Sequence, residues 1–250
     1  GQGCCGALHL HAGLKDRARA FARSTIAAFE KSGADYVAVN AAGCGAAMKE
    51  YGHLLEADSQ WRDRAASFSA RVRDATELVA EPASPEAGAR QGASPPNERE
   101  PTRVAYQDPC HLAQAQRIVD PPRRAIDAVP GFERVELAKA DRCCGSAGVY
   151  NLTHPVMADA LADRMIEAAK TARAERLITA NPGCHIQLAA SSARANGPPV
   201  QHIMEFLDDP ESPPRLAEDD VAHFDAKGLA FAIGATVLVG LLLFASRRKR

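Results

Sequence analysis

Seven cysteines are the residues best suited to chemistry in this chain, and they follow a pattern. Four stand in three clusters: Cys110 in Asp108-Pro-Cys-His111, the pair Cys143-Cys144 before Gly145, and Cys184 in Asn181-Pro-Gly-Cys184. The other three repeat part of this near the N-terminus, as Cys4-Cys5-Gly6 and then Asn40-Ala-Ala-Gly-Cys44. Cys5 and Cys44 are 39 residues apart, and Cys144 and Cys184 are 40 apart. A Cys-Cys-Gly element followed at nearly constant distance by Gly-Cys reads as two related cysteine-rich modules.

Thiolates that converge from separate loops can hold an iron–sulfur cluster, which takes about four of them. Cys110, Cys143, Cys144 and Cys184 are the candidate ligands of one site, and Cys4, Cys5 and Cys44 those of another. Four thiolates also suit a closed tetrahedral zinc site, and spacing does not separate the two. Gly145, Gly148 and Gly183 would let the backbone approach such a group closely. His11, His111 and His185 lie beside cysteines and read as supporting residues around the ligands. Inert buried cysteines are common. That alternative explains one loop cysteine better than it explains two matched pairs of elements.

The rest of the chain must bring these loops together. Helical spacing runs from Lys15 to Lys31, ended by Gly33. Tyr36–Val39 is a short strand leading into Cys44, with a helix from Ala46 to about Leu55 and another from Arg62 to Ala80. In the second half, Arg103–Tyr106 is a strand delivering Cys110. Pro121–Val129 is a helix, a strand lies near Val135, and residues 141–148 form the Cys-Cys loop. Pro155–Ala174 is an amphipathic helix. Leu177–Ala180 is a strand delivering Cys184, and Ile186–Ala193 and His202–Leu207 are helices. Strands alternating with helices predict an α/β fold of short parallel sheets flanked by helices, with functional loops at the carboxyl edge.

Composition narrows the function. A net charge of −1 gives no pull toward nucleic acid. An odd number of cysteines with two adjacent pairs fits poorly with a disulfide framework and better with a reducing compartment. There is no phosphate-binding loop, dinucleotide fingerprint, Ser-His-Asp pattern or paired carboxylate. Residues 81–102 are rich in Pro, Ala, Ser, Gly and Glu and read as a linker. Residues 209–227 form an acidic linker. Gly228–Ala245 is eighteen residues without a charge, followed by Arg247-Arg-Lys-Arg250. It meets the lower limit for a membrane span. The expected organisation is a first module over 1–80, incomplete at its N-terminus, a second over 103–208, a C-terminal apolar helix at 228–246 and a basic tail at 247–250.

The motifs resemble a known family. Cys110, Cys143-Cys144-Gly145 and Cys184 are similar to the cysteine-rich domain of the heterodisulfide reductases and their relatives. Tyr106-Gln-Asp-Pro-Cys-His-Leu112, Cys143-Cys-Gly-Ser-Ala-Gly-Val-Tyr-Asn151 and Thr179-Ala-Asn-Pro-Gly-Cys184 resemble the glycolate oxidase iron–sulfur subunits. So do Cys4-Cys-Gly-Ala-Leu-His-Leu-His11 and Asn40-Ala-Ala-Gly-Cys-Gly45. The resemblance covers about residues 1–208. It implies a 4Fe-4S type cluster and an electron-transfer role, taking electrons from a flavoprotein partner that oxidises a 2-hydroxy acid toward the membrane quinone pool. It also implies an N-terminal ferredoxin-like part and a cysteine upstream of Cys4, neither of which this sequence contains. Asn181 stands where the broader family often has the first cysteine of Cys-x-x-Cys. The alternatives are a thiol–disulfide redox subunit like heterodisulfide reductase and a zinc-stabilised docking scaffold. The expected location is a cytoplasmic body tethered to the membrane by the C-terminal helix.

Overall fold

The structure, a computed structural model, describes residues 3–80 and 100–213. Most of the expected linker, most of the acidic segment, the apolar helix and the basic tail lie outside the described residues. Among the described residues no helix is long and apolar enough to cross a membrane.

The first half runs α1 (Ala7–His11), α2 (Lys15–Ser32), β1 (Val37–Val39), α3 (Ala42–Lys49), α4 (Tyr51–Leu54), α5 (Arg62–Ser69), β2 (Val72–Asp74) and α6 (Ala75–Ala80). The second half runs β3 (Thr102–Gln107), α7 (Cys110–Ala113), α8 (Asp120–Asp127), β4 (Phe132–Val135), α9 (Tyr150–Thr153) and α10 (Pro155–Thr171). It closes with β5 (Arg176–Thr179), α11 (Pro182–Ala195), β6 (Val200–His202) and α12 (Ile203–Asp208). All described strands pair in parallel. β1 and β2 form a two-stranded sheet, and the second sheet has the order β4-β3-β5-β6. The α/β expectation with short parallel sheets holds for the described residues.

Two long helices support the thiol loops, and both use small residues to come close. α2 buries Ala18, Ala22, Thr25 and Ile26 along one stripe. α10 buries Ala158, Ala162, Met165, Ile166 and Ala169, and opens on Pro155, whose fixed φ suits a first turn. The first core gathers Ile26, Val39, Met48, Tyr51, Leu55, Phe68 and Val72. The second sheet has a core on each face, one under α10 and α11 and one around Tyr106, Ile178 and Phe206. Ala42 of the first half, fully buried, sits in the latter.

Several element boundaries differ from the sequence expectation. The helix expected over 62–80 is interrupted by β2. Val72 and Asp74 alternate with Arg73 and are buried, and Asp74 then accepts the Thr76 N–H at 2.9 Å to start α6. α3 begins at Ala42 rather than Ala46, and α11 at Pro182 rather than Ile186, so Cys44 and Cys184 lie inside first turns. Residues 200–202 form a strand, so the helix expected from His202 begins at Ile203, and residues 7–11 form a short helix.

Candidate thiolate site

Three loops meet at the carboxyl edge of the second sheet. β3 ends at Gln107, and Asp108-Pro109 turns the chain into α7 at Cys110. β5 lies next to β3 in register, Gln107 opposite Thr179. The Thr179 hydroxyl donates to Gln107 Oε1 at 2.8 Å, while Gln107 Nε2 donates to the Asp108 carbonyl at 2.6 Å. This buried relay locks the two strand ends that precede Cys110 and Cys184. The Asp108 carboxylate accepts two bonds from Arg123, at 2.8 and 2.6 Å. The Asp108 N–H donates to the Ala140 carbonyl at 2.9 Å, which fixes the loop carrying Cys143 and Cys144.

The four thiols influence one another: Cys143 interacts with the thiols of Cys110 and Cys144, and Cys144 Sγ lies 2.7 Å from Cys184 Sγ. Hydrogen bonds donated by Cys110 and Cys144 pull the Cys143 thiol far below its ordinary range. The thiols of Cys110 and Cys144 are pushed up, first by giving those bonds and then by burial. Two amide groups also face sulfur: Gly145 N–H toward Cys143 at 3.4 Å, and Asn181 Nδ2 toward Cys184 at 3.5 Å. Cys144 and Cys184 are 2% and 3% exposed, so water is excluded from half of the site.

The first half repeats this arrangement. Cys5 Sγ lies 3.1 Å from Cys44 Sγ, and Gly6 N–H faces Cys4 at 3.3 Å, as Gly145 faces Cys143. Cys44 is the third residue of α3 and Cys184 the third of α11. The N-terminal end of each helix favours negative charge there. The hydrogen bond from Cys44 is the largest influence lowering the Cys5 thiol, to about 6, and Cys44 is raised in turn. All seven cysteines are free.

Gly145 and Gly183 have packing duties that spacing did not reveal. Gly145 has φ +91°, and a Cβ there would run into the Ala158 carbonyl. Gly6 has φ +79°, and a Cβ there would sit tightly at 3.1–3.3 Å from Phe21 and Ala18. A Cβ on Gly183 would lie 2.8 Å from Ser146 Oγ. These contacts press the Cys-Cys loops onto α10 and α2. Among the expected supporting histidines, His111 sits beside Cys110, with Nδ1 3.7 Å from the sulfur. Its ring meets that of His11 edge-on at 5.2 Å. His185 turns elsewhere: its Nε2 pairs with the Val200 carbonyl at 3.1 Å, tying α11 to β6. Sequence reasoning missed Arg123, Gln116 and Ser146. It noticed Asn181 only as a departure from a family pattern.

Among the described residues no three His, Cys, Asp or Glu side chains are spaced to hold a single metal ion. Sulfurs around a tetrahedral zinc stand about 3.8 Å apart, from a bond of about 2.3 Å, and Cys144 and Cys184 are closer than that. A bound group would part them. The donor set nevertheless fits an iron–sulfur group: four convergent thiols, one already acidic, with N–H groups aimed at two of the sulfurs.

Comparison with known proteins agrees with the motif reading. Residues 1–49 and 104–189 match the family described as cysteine-rich domain. The chain is 39% identical over 187 residues to the probable glycolate oxidase iron-sulfur subunit of Bacillus subtilis, covering 75% of this chain and 40% of that protein. It is 32% identical over 209 residues to the glycolate oxidase iron-sulfur subunit of Escherichia coli, covering 82% and 48%. It is 30% identical over 207 residues to lactate utilization protein A of Geobacillus kaustophilus, covering 82% of each. The chain thus spans less than half the length of the two glycolate oxidase subunits. With its paired Cys-Cys-Gly loops and the matches over both halves, the chain belongs to the cysteine-rich domain family.

Proposed function

We propose that the chain is the iron–sulfur portion of a complex that oxidises a small 2-hydroxy acid. In this reading it takes electrons from a flavoprotein partner and passes them toward a quinone-linked acceptor at the membrane. The observation that carries the reading is the gathering of Cys110, Cys143, Cys144 and Cys184 at one sheet edge, with N–H groups directed at sulfur. The names of the relatives support it: iron-sulfur subunits of glycolate oxidase, and a lactate utilization protein.

Oxidation of a hydroxy acid to an oxo acid releases two electrons and two protons, which a flavin accepts. A 4Fe-4S group at the thiols would supply storage for single electrons. The chain's own residues do the remainder. Cys110, Cys143, Cys144 and Cys184 hold the group, and Cys4, Cys5 and Cys44 contribute to a second. Gly145 and Asn181 offset charge on sulfur, and burial of Cys144 and Cys184 keeps water away. The working division is one unit over 1–80 and another over 103–208. The apolar 228–246 stretch, read from sequence alone, would tether a cytoplasmic body to the membrane.

The test is anaerobic iron and acid-labile sulfide analysis of the full chain, with its visible spectrum, beside a Cys144→Ser variant. Iron with sulfide in the parent, and loss of the second site's share in the variant, supports the reading. Zinc alone, without colour, would instead favour a docking scaffold.

A further inference from the structure

Asn181 lies between the two thiol sites and is bonded to both sides of the gap. Its Oδ1 accepts the N–H of Gly43 at 3.1 Å, and Gly43 is covalently joined to Cys44. Its Nδ2 donates to Cys184 Sγ at 3.5 Å. The orientation of the carboxamide is not arbitrary. A backbone N–H needs an acceptor, so the oxygen must face Gly43, which leaves the nitrogen for sulfur. The surroundings hold it in place. Ala42 N–H donates to the Ala180 carbonyl at 3.3 Å, and Gln116 Nε2 spans the Ala42 and His111 carbonyls at 3.0 and 3.1 Å. The first half has no counterpart, since Ala41 occupies the position three residues before Cys44.

We propose that Asn181 is a positioning residue whose carboxamide couples the two thiol sites, holding the Cys184 sulfur with its N–H and the amide before Cys44 with its oxygen. The inference rests on reading these thiols as ligands of redox groups. Negative charge gained on the Cys184 sulfur when a bound redox group is reduced would strengthen the N–H···S bond. That bond polarises the carboxamide, which then accepts more strongly from Gly43. The same N–H stabilises the reduced form at Cys184 and so raises its potential, because hydrogen bonds to sulfur are among the groups that set it.

Two variants separate the halves of the proposal. Asn181→Leu, of similar volume, removes both bonds. Asn181→Asp keeps the Gly43 acceptor but turns an oxygen toward Cys184. Anaerobic redox titration of the full, iron-loaded chain reads each site's midpoint, with iron content and thermal midpoint measured alongside. The second site's midpoint is expected to fall in both variants, by about tenfold in the reduction equilibrium, or about 59 mV for one electron. The first site's midpoint should stop responding to reduction of the second in both variants, because each removes the N–H on sulfur, while Asn181→Leu alone also leaves the Gly43 N–H without its acceptor and so has the lower thermal midpoint. A purely structural role would reduce iron content or thermal midpoint without moving the potential of the molecules that stay loaded. Iron uptake with unmoved potentials in Asn181→Leu overturns the inference alone. A parent chain that takes up no iron overturns both this inference and the reading beneath it.

Discussion

Arg123 grips Asp108 with two parallel bonds, Nη1 to Oδ1 at 2.8 Å and Nη2 to Oδ2 at 2.6 Å, two residues before Cys110. The Asp108 side chain is 6% exposed and that of Arg123 23%. Removing the cation leaves a carboxylate buried without its partner, which costs about 3 kcal/mol or more. Arg123→Met should lower the urea midpoint accordingly. Asp108→Asn on the Arg123→Met background should recover a good part, because the uncompensated charge is gone. A double variant no more stable than Arg123→Met would show that the pair's shape, not its charge, holds the loop.

The two glycines of the Cys143 loop should respond unequally to alanine. Gly145→Ala combines a left-handed φ with a collision against the Ala158 backbone. Overpacking of that kind costs about 1–3 kcal/mol, beyond about 1–2 kcal/mol for the φ. Gly148, at φ +68°, would place its Cβ 3.4 Å from His11, an ordinary contact. Gly148→Ala should therefore show only the φ penalty. Equal losses in denaturant titrations would contradict the assigned role of Gly145.

Tyr51 donates its hydroxyl to the Cys5 carbonyl at 2.6 Å while its ring stacks on Phe68, with 5.4 Å between centroids. Tyr51→Phe keeps the ring and strands a buried carbonyl, a loss of about 1–3 kcal/mol. Alkylation of Cys5 in the metal-free chain should also quicken, since that carbonyl anchors the first Cys-Cys loop. Stability loss without faster alkylation would place the effect elsewhere.

Stability should fall on mild acidification. His202 is 7% exposed, and burial, with the neighbouring His185, pushes it below its ordinary value of 6.5. The unfolded chain then binds more protons than the folded one between the folded value and 6.5. Stability rises with pH across that window, is fully present above 6.5 and is lost as pH drops below it. Urea titrations at pH 7.5 and 5.5 read the difference. His202 Nδ1 accepts the Met204 N–H at 3.2 Å, a cap that asparagine also provides. His202→Asn should flatten the pH dependence, and an unchanged slope would assign it to other groups.

The cysteine plan was legible because each module repeats one unit, strand then thiol then helix, and the 39- and 40-residue gaps preserve it. The ends of that unit were harder. Val72-Arg-Asp74 is too short for alternation to outweigh the helical spacing of Phe68 and Val72, so β2 was absorbed into a helix. The early start of α11 did carry a signal in Pro182, which fits a first helical turn, but the cysteine motif around it was read as a loop. The contact of Asn181 with Gly43 had no signal at all. It joins residues 138 apart, and neither residue type announces the other. His185 was misplaced for a related reason: adjacency to Cys184 in sequence says little about direction, because one residue along a helix turns a side chain well away from its neighbour.

The span of that Asn181–Gly43 bond also sets a timetable. Synthesis proceeds from the N-terminus, and non-local contacts wait for the chain that completes them. The wall shared by the two sulfur sites closes only after Asn181 has been made, 138 residues behind Gly43. Thiols from the first half are therefore exposed to the cell before their surroundings exist. Closure of the wall between the Cys44 and Cys184 loops belongs to the end of biogenesis, after both halves have folded against each other.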